Sequence, residues 1–100
     1  MKRTKSGGLN LPRFLTVDKA EGLYRDLRTA SEDGGDLIFN GDKVEVVDAA
    51  GLQLLVATRA FARAGNKPFA ILQASAALRH ATRLTGLQDL LDQRRSEDHQ

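Results

Sequence analysis

Apolar residues in this chain fall into two patterns, short runs and helical stripes, that alternate along its length. Leu9-Asn10-Leu11, stopped by Pro12, reads as a short first strand or edge segment. Phe14 and Leu15 carry apolar bulk into a first helix, where Ala20, Leu23, Leu27 and Ala30 recur at helical spacing. Thr16 or Asp18 is the expected N-cap, and Asp18 with Glu21 forms a capping-box-like pair. Lys19, Arg25, Asp26 and Arg28 occupy mainly the other side, and Gly22 costs this helix about 1 kcal/mol of propensity. Ser31-Glu32-Asp33-Gly34-Gly35 ends it.

The run Asp36-Leu37-Ile38-Phe39 reads as a buried strand, followed by the turn Asn40-Gly41-Asp42. Val44-Glu45-Val46-Val47 alternates only in part and then meets Asp48, the expected N-cap of a helix from Ala49 to Ala64. Leu54, Leu55, Thr58, Phe61 and Ala62 share one face of that helix, and Gln53, Val56, Arg59 and Arg63 lie around the opposite one. Gly65-Asn66 stops it. Phe69-Ala70-Ile71-Leu72 is a further buried strand. Ser75 caps a third helix with Ala77, Leu78, Ala81 and Leu84 pointing inward, Thr85-Gly86 closes it, and Leu87, Leu90 and Leu91 add a last apolar patch. Strands alternating with helices imply an α/β fold of parallel neighbours joined by right-handed crossovers.

Composition narrows the function classes. The 100 residues, 41% apolar, suit a single domain, placed at residues 9–92 between flexible tails at 1–8 and 93–100. No apolar run is long enough to span a bilayer, and none of signal-peptide length follows the basic start Met1-Lys2-Arg3. The absence of cysteine excludes disulfides and thiolate metal sites and suits a reducing compartment, the cytoplasm. A net charge of +2 with interspersed signs and five aromatic residues in all gives no phosphate-tracking face, so nucleic acid is not an expected partner.

Catalytic chemistry finds little support. His80 lies within the third helix and His99 near the end, and neither has a second ligand at metal spacing. Glu32 and Asp33 sit in a turn without a partner base, and neither Gly7-Gly8 nor Gly34-Gly35 precedes the Lys-Ser/Thr pair of a phosphate cradle. No catalytic residue, metal ligand or cofactor is therefore assigned. The stretch Val47-Asp48-Ala49-Ala50-Gly51-Leu52 stands apart. A strand ends, an aspartate turns the chain, and small residues open a helix. Two readings stay open: an accessible helix end that accepts an anion or a partner's backbone, or tight packing of helix on strand, which also selects small residues.

Asp48-Ala49-Ala50-Gly51-Leu52, preceded by a strand and followed by Leu54-Leu55 and the Arg59 to Gly65 stretch, resembles the STAS domain family (sulfate transporter and anti-sigma-factor antagonist). Leu15-Thr16, the Asp36 to Phe39 run, Gly65-Asn66-Lys67-Pro68-Phe69-Ala70-Ile71, Ser75 with Leu78, and Leu84-Thr85-Gly86-Leu87 follow in the expected order, so the resemblance covers about residues 9–91. It implies a small mixed, mostly parallel sheet of about four strands with helices largely on one face, and a non-enzymatic module that binds partner proteins through the start of its second helix. In anti-sigma antagonists of this family a kinase phosphorylates the serine after the aspartate. That position is Ala49 here and the next is Ala50, so neither can take a phosphoryl group. After Leu91 the chain turns polar, which leaves little room for the last strand and helix of longer members.

The resemblance is nearest to small STAS proteins of bacterial chemotaxis, which implies docking on a histidine kinase and modulation of its phosphotransfer. Two alternatives are an anti-sigma-factor antagonist that binds a serine kinase but lacks the phosphorylated serine, and an accessory subunit of a lipid-transport ATPase. The expected partner is thus a protein, in two of the three readings a kinase with an ATP-binding domain, with no membrane insertion and with a homodimer left open. The expected contact residues are Asp48, Ala49, Ala50, Gly51, Gln53, Val56, Arg59 and Arg63.

Overall fold

The computed structural model describes residues 8–91. The expected tails therefore lie, apart from Gly8, outside the described residues. The element order is β1 (Leu9–Asn10), β2 (Phe14–Leu15), a 3-10 turn (Val17–Lys19), α1 (Ala20–Glu32), β3 (Leu37–Asn40), β4 (Val46–Val47), α2 (Ala49–Ala64), β5 (Phe69–Leu72), α3 (Ala76–Thr85) and a closing 3-10 turn (Gln88–Leu91).

Among the described residues the strand pairings are all parallel, in a three-stranded sheet ordered β1-β3-β5 and a two-stranded sheet β2-β4. The division follows from the sequence. Leu11 still donates its N–H to the Asn40 carbonyl at 3.0 Å, but Pro12 then has no N–H to give. Opposite it, Asn40 Oδ1 accepts from the Asp42 N–H at 3.0 Å and turns the partner strand aside. Pairing resumes where the Arg13 carbonyl accepts from both Glu45 and Val46, leading into the register Phe14↔Val46 and Leu15↔Val47.

The core lies where α1 and α2 meet each other and α2 rests on β2 and β5. Leu9, Leu15, Leu23, Leu27, Leu37, Phe39, Leu52, Leu55, Ile71, Leu78 and Leu90 are buried in it, each worth about 1.5–3 kcal/mol of transfer free energy. The rings of Phe39 and Phe69 meet tilted at 5.8 Å. Lys67 ties the ends of α1 and α2 together, donating from Nζ to the Ser31 carbonyl at 2.6 Å.

Several local expectations are corrected. Asp18 and Glu21 do not make a capping box. Asp18 Oδ1 accepts from the Thr16 hydroxyl at 2.6 Å, a 3-10 turn precedes α1, and Lys19 occupies the N-cap without a side-chain bond. On α2 the buried residues are Gly51, Leu52, Leu55, Thr58 and Ala62, while Leu54 is half-buried and Phe61 exposed, so the inward face is rotated toward Leu52. On α3 Leu84 is 73% exposed and Thr82 takes the inward place. The reason is helical geometry: Thr82 lies four positions after buried Leu78 on one stripe, and Leu84 stands about 120° round from Leu78. After the helix Gly86 adopts φ 73°, Leu87 donates to the Thr82 carbonyl at 2.8 Å, and the chain folds back to bury Leu90. Beyond α2 the left-handed position belongs to Asn66, φ 57°, and not to Gly65.

Candidate functional site

Asp48 organises the start of α2. Its backbone is extended, which aims the carboxylate back over the first turn. Oδ1 accepts from the Gly51 N–H at 3.1 Å, and Oδ2 accepts from the Val17 N–H at 2.8 Å. These two backbone donors hold the carboxyl below its ordinary range. The Asp48 N–H in turn donates to the Leu15 carbonyl at 3.0 Å. One residue thus caps α2, continues the β2-β4 pairing and fixes the turn into α1.

The eight expected contact residues divide into two groups. Ala49, Gln53 and Arg63 are exposed, and Asp48, Ala50 and Val56 are half-buried. Gly51 is buried: a Cβ there would overlap the backbone of Leu15. For this residue the close-packing reading holds, because the strand runs against the helix where a side chain would stand. Arg59 also turns inward. Its side chain is 13% exposed and Nη1 lies 3.3 Å from Asp89 Oδ2, an ion pair between α2 and the closing turn, with no hydrogen-bond partner for that nitrogen. Gly51 and Arg59 shape the surface from behind. At the start of α2 the outer surface is made by Ala49 with the edge of Ala50 and, one turn on, by Gln53; Val56 lies about two turns along, and Arg63 stands in the last turn, about 20 Å away along the axis.

Two neighbours belong to this region that periodicity did not reveal. Val17 is 69% exposed and is fastened to Asp48 through its N–H. Thr16 is half-buried and lies between Leu15 and Val17, both bonded to Asp48. The sequence signal for them was the pair of N-cap candidates before α1, which indicated a turn but not its neighbour.

A second concavity lies between α1 and α2, a cavity of about 350 Å³ lined by Tyr24, Leu27, Arg28, Leu54, Ala57 and Phe61 among others. Phe61, expected inside, stands half out of it. His80 is exposed on α3, and among the described residues no group of three His, Asp or Glu side chains is placed to hold a metal. No described helix is long and apolar enough to cross a membrane.

The STAS domain model matches residues 9–99. The chain belongs to the STAS domain family. The match runs past Leu91, where the recognisable sequence resemblance ended. Among solved structures, this STAS domain is similar to the anti-sigma factor antagonist SpoIIAA in its unphosphorylated form, with a TM-score of 0.69 and 19% identity over 91% of this chain and 81% of that one. At that identity the likeness concerns the fold, which is the same α/β arrangement. No curated protein matches the chain.

Proposed function

We propose that this STAS domain is a non-enzymatic regulatory module that docks on a protein partner through the start of α2. The observation that carries this reading is the combination at residues 48–50. The helix end is held rigidly by Asp48, so its shape is fixed before binding, while Ala49 leaves its outer side open to close approach by another backbone. Gln53, one turn on, adds an exposed amide that hydrogen-bonds a partner, and Arg63 at the far end of α2 would meet partner carboxylates only where the contact extends along the whole helix. The partner class that fits the family and the sequence is a kinase with an ATP-binding domain, first a histidine kinase of chemotaxis type whose phosphotransfer the module modulates. An anti-sigma kinase is the second partner type, favoured by the fold shared with an anti-sigma factor antagonist.

The test is binding of the full chain to the ATP-binding domain of a kinase encoded beside it. Ala49→Arg, at an exposed position, leaves the circular dichroism spectrum unchanged and abolishes binding. Ala50→Arg does the same if its half-buried place tolerates the longer chain. Unchanged affinity in a folded Ala49→Arg protein refutes the docking surface. Co-purification with a transporter ATPase in place of a kinase refutes the partner class.

A further inference from the structure

We propose that the cavity between α1 and α2 binds a small neutral aromatic molecule that carries an N–H or O–H donor, at a site separate from the docking surface at the start of α2. Tyr24, Leu27 and Ser31 on α1 and Leu54, Thr58 and Phe61 on α2 line it. Each set spans seven positions in steps of three and four, so each is one stripe of its helix. The volume of about 350 Å³ is roughly twice that of a cavity of about 150 Å³ that holds benzene, which suits a fused pair of rings. Phe61 does not fold in to fill the space. Its ring is 51% exposed, and Lys67, which donates from Nζ to the Ser31 carbonyl, keeps that nitrogen 6.0 Å from the ring centroid. Tyr24 is exposed to a similar degree on the facing helix, so each helix offers an aromatic ring to a guest.

Two hydroxyls define the chemistry of the guest. Ser31 and Thr58 are 8% and 7% exposed, and of the three buried polar residues among the described ones, these two line the same cavity. Ser31 Oγ donates to the Leu27 carbonyl and Thr58 Oγ1 to the Leu54 carbonyl, each at 2.8 Å. Each proton is thereby committed to its own helix, while neither oxygen accepts from another described residue. What these buried oxygens lack is a donor. A guest with a ring N–H or O–H supplies one, and an all-carbon guest does not. Charge sets the second condition. Arg28 Nε donates to Glu32 Oε2 at 3.0 Å, so the two charged residues that line the cavity neutralise each other. The site offers no unpaired charge to an ionic guest, and a neutral one leaves the pair intact.

The probes are indole, whose ring N–H is the donor, and 1-methylindole, the same ring system without it. The chain has no tryptophan and one tyrosine, Tyr24, so a single set of tyrosine ring resonances reports the site. Titration of the full chain with indole, followed by NMR, is expected to shift the Tyr24 ring and the amides near Ser31 and Thr58, with half-saturation at about 1 mM or below. 1-Methylindole is expected to bind about tenfold more weakly. Ala57→Leu, at an exposed position on the cavity wall, narrows the space and abolishes the shifts at an unchanged melting temperature. No shift of Tyr24 up to the solubility limit of indole overturns the inference, and so do shifts that persist in a folded Ala57→Leu chain. Equal affinity for the two probes also overturns it, and that comparison needs no variant. Ala49 is not part of the cavity, so Ala49→Arg leaves indole binding unchanged, and the docking reading and this site fail separately.

Discussion

Gly51 has no side chain because the backbone of Leu15 occupies the place where one would stand. The contact joins the first turn of α2 to the end of β2, and neither partner can withdraw without breaking the Asp48–Leu15 hydrogen bond beside it. Gly51→Ala therefore lowers stability by about 1–3 kcal/mol or more, read as a drop in the urea midpoint at unchanged slope. Gly22 is the control. It is exposed on α1 with nothing within 4 Å of an added Cβ, so Gly22→Ala raises stability by about 0.5–1 kcal/mol. Equal effects of the two substitutions would contradict the packing described.

Asp48 links stability to pH with a definite sign. Its folded-state carboxyl titrates below the unfolded value because the Gly51 and Val17 N–H groups favour the charged form. The stabilisation is complete above the unfolded value and is lost as pH falls through the lowered folded one. Asp48→Ala is thus less stable than the native chain at neutral pH, and the gap closes on acidification. Urea midpoints for both proteins across the acid range check this. A gap that stays constant into strong acid assigns the effect to packing and not to the ionised cap.

The Arg59–Asp89 pair predicts an asymmetry. Removing the acidic partner by Asp89→Ala leaves a largely buried guanidinium without its counter-charge and costs about 1 kcal/mol or more. Arg59→Met removes the charge itself while keeping an apolar stem of similar reach, so it is near neutral or stabilising. Thermal melts of the two variants read the difference, and a larger loss for Arg59→Met would show that the pair contributes net attraction.

Leu78 and Leu84 are six residues apart on α3, short of two full turns, and sit in opposite environments, one fully buried and the other 73% exposed. Leu78→Ala costs about 2–5 kcal/mol, whereas Leu84→Gln stays within about 0.5 kcal/mol. Denaturant unfolding of both variants decides whether α3 presents the face described.

These positions also mark what was legible in the sequence. Caps were legible, because Asp48, Ser75 and Gly86 act through bonds to residues three or four positions away. The alternation of strands and helices was legible for the same local reason. Faces of helices were read less well. On α3 Thr82 follows Leu78 by four positions and shares its stripe, whereas Leu84 stands on nearly the opposite side from Thr82; apolar character was followed there in place of the helical period. Phe61 is half exposed because the buried stripe of α2 runs through Gly51, Leu52, Leu55, Thr58 and Ala62, and its first turn is held against Leu15, a strand residue far away in sequence. The small residues after Asp48 illustrate the same limit. Ala49 and Gly51 look equivalent in the sequence, yet one faces outward and the other is closed in by β2.

The all-parallel pairing has a consequence for how the molecule forms. Leu9 pairs with Phe39, Phe14 with Val46 and Leu37 with Phe69, so every ladder joins segments separated by a whole helix. None of the described strands can zip up through a hairpin. Each must wait for an intervening segment to collapse and bring its neighbour round, which places the rate-limiting step in long-range loop closure and makes α1 and α2 the natural early structures.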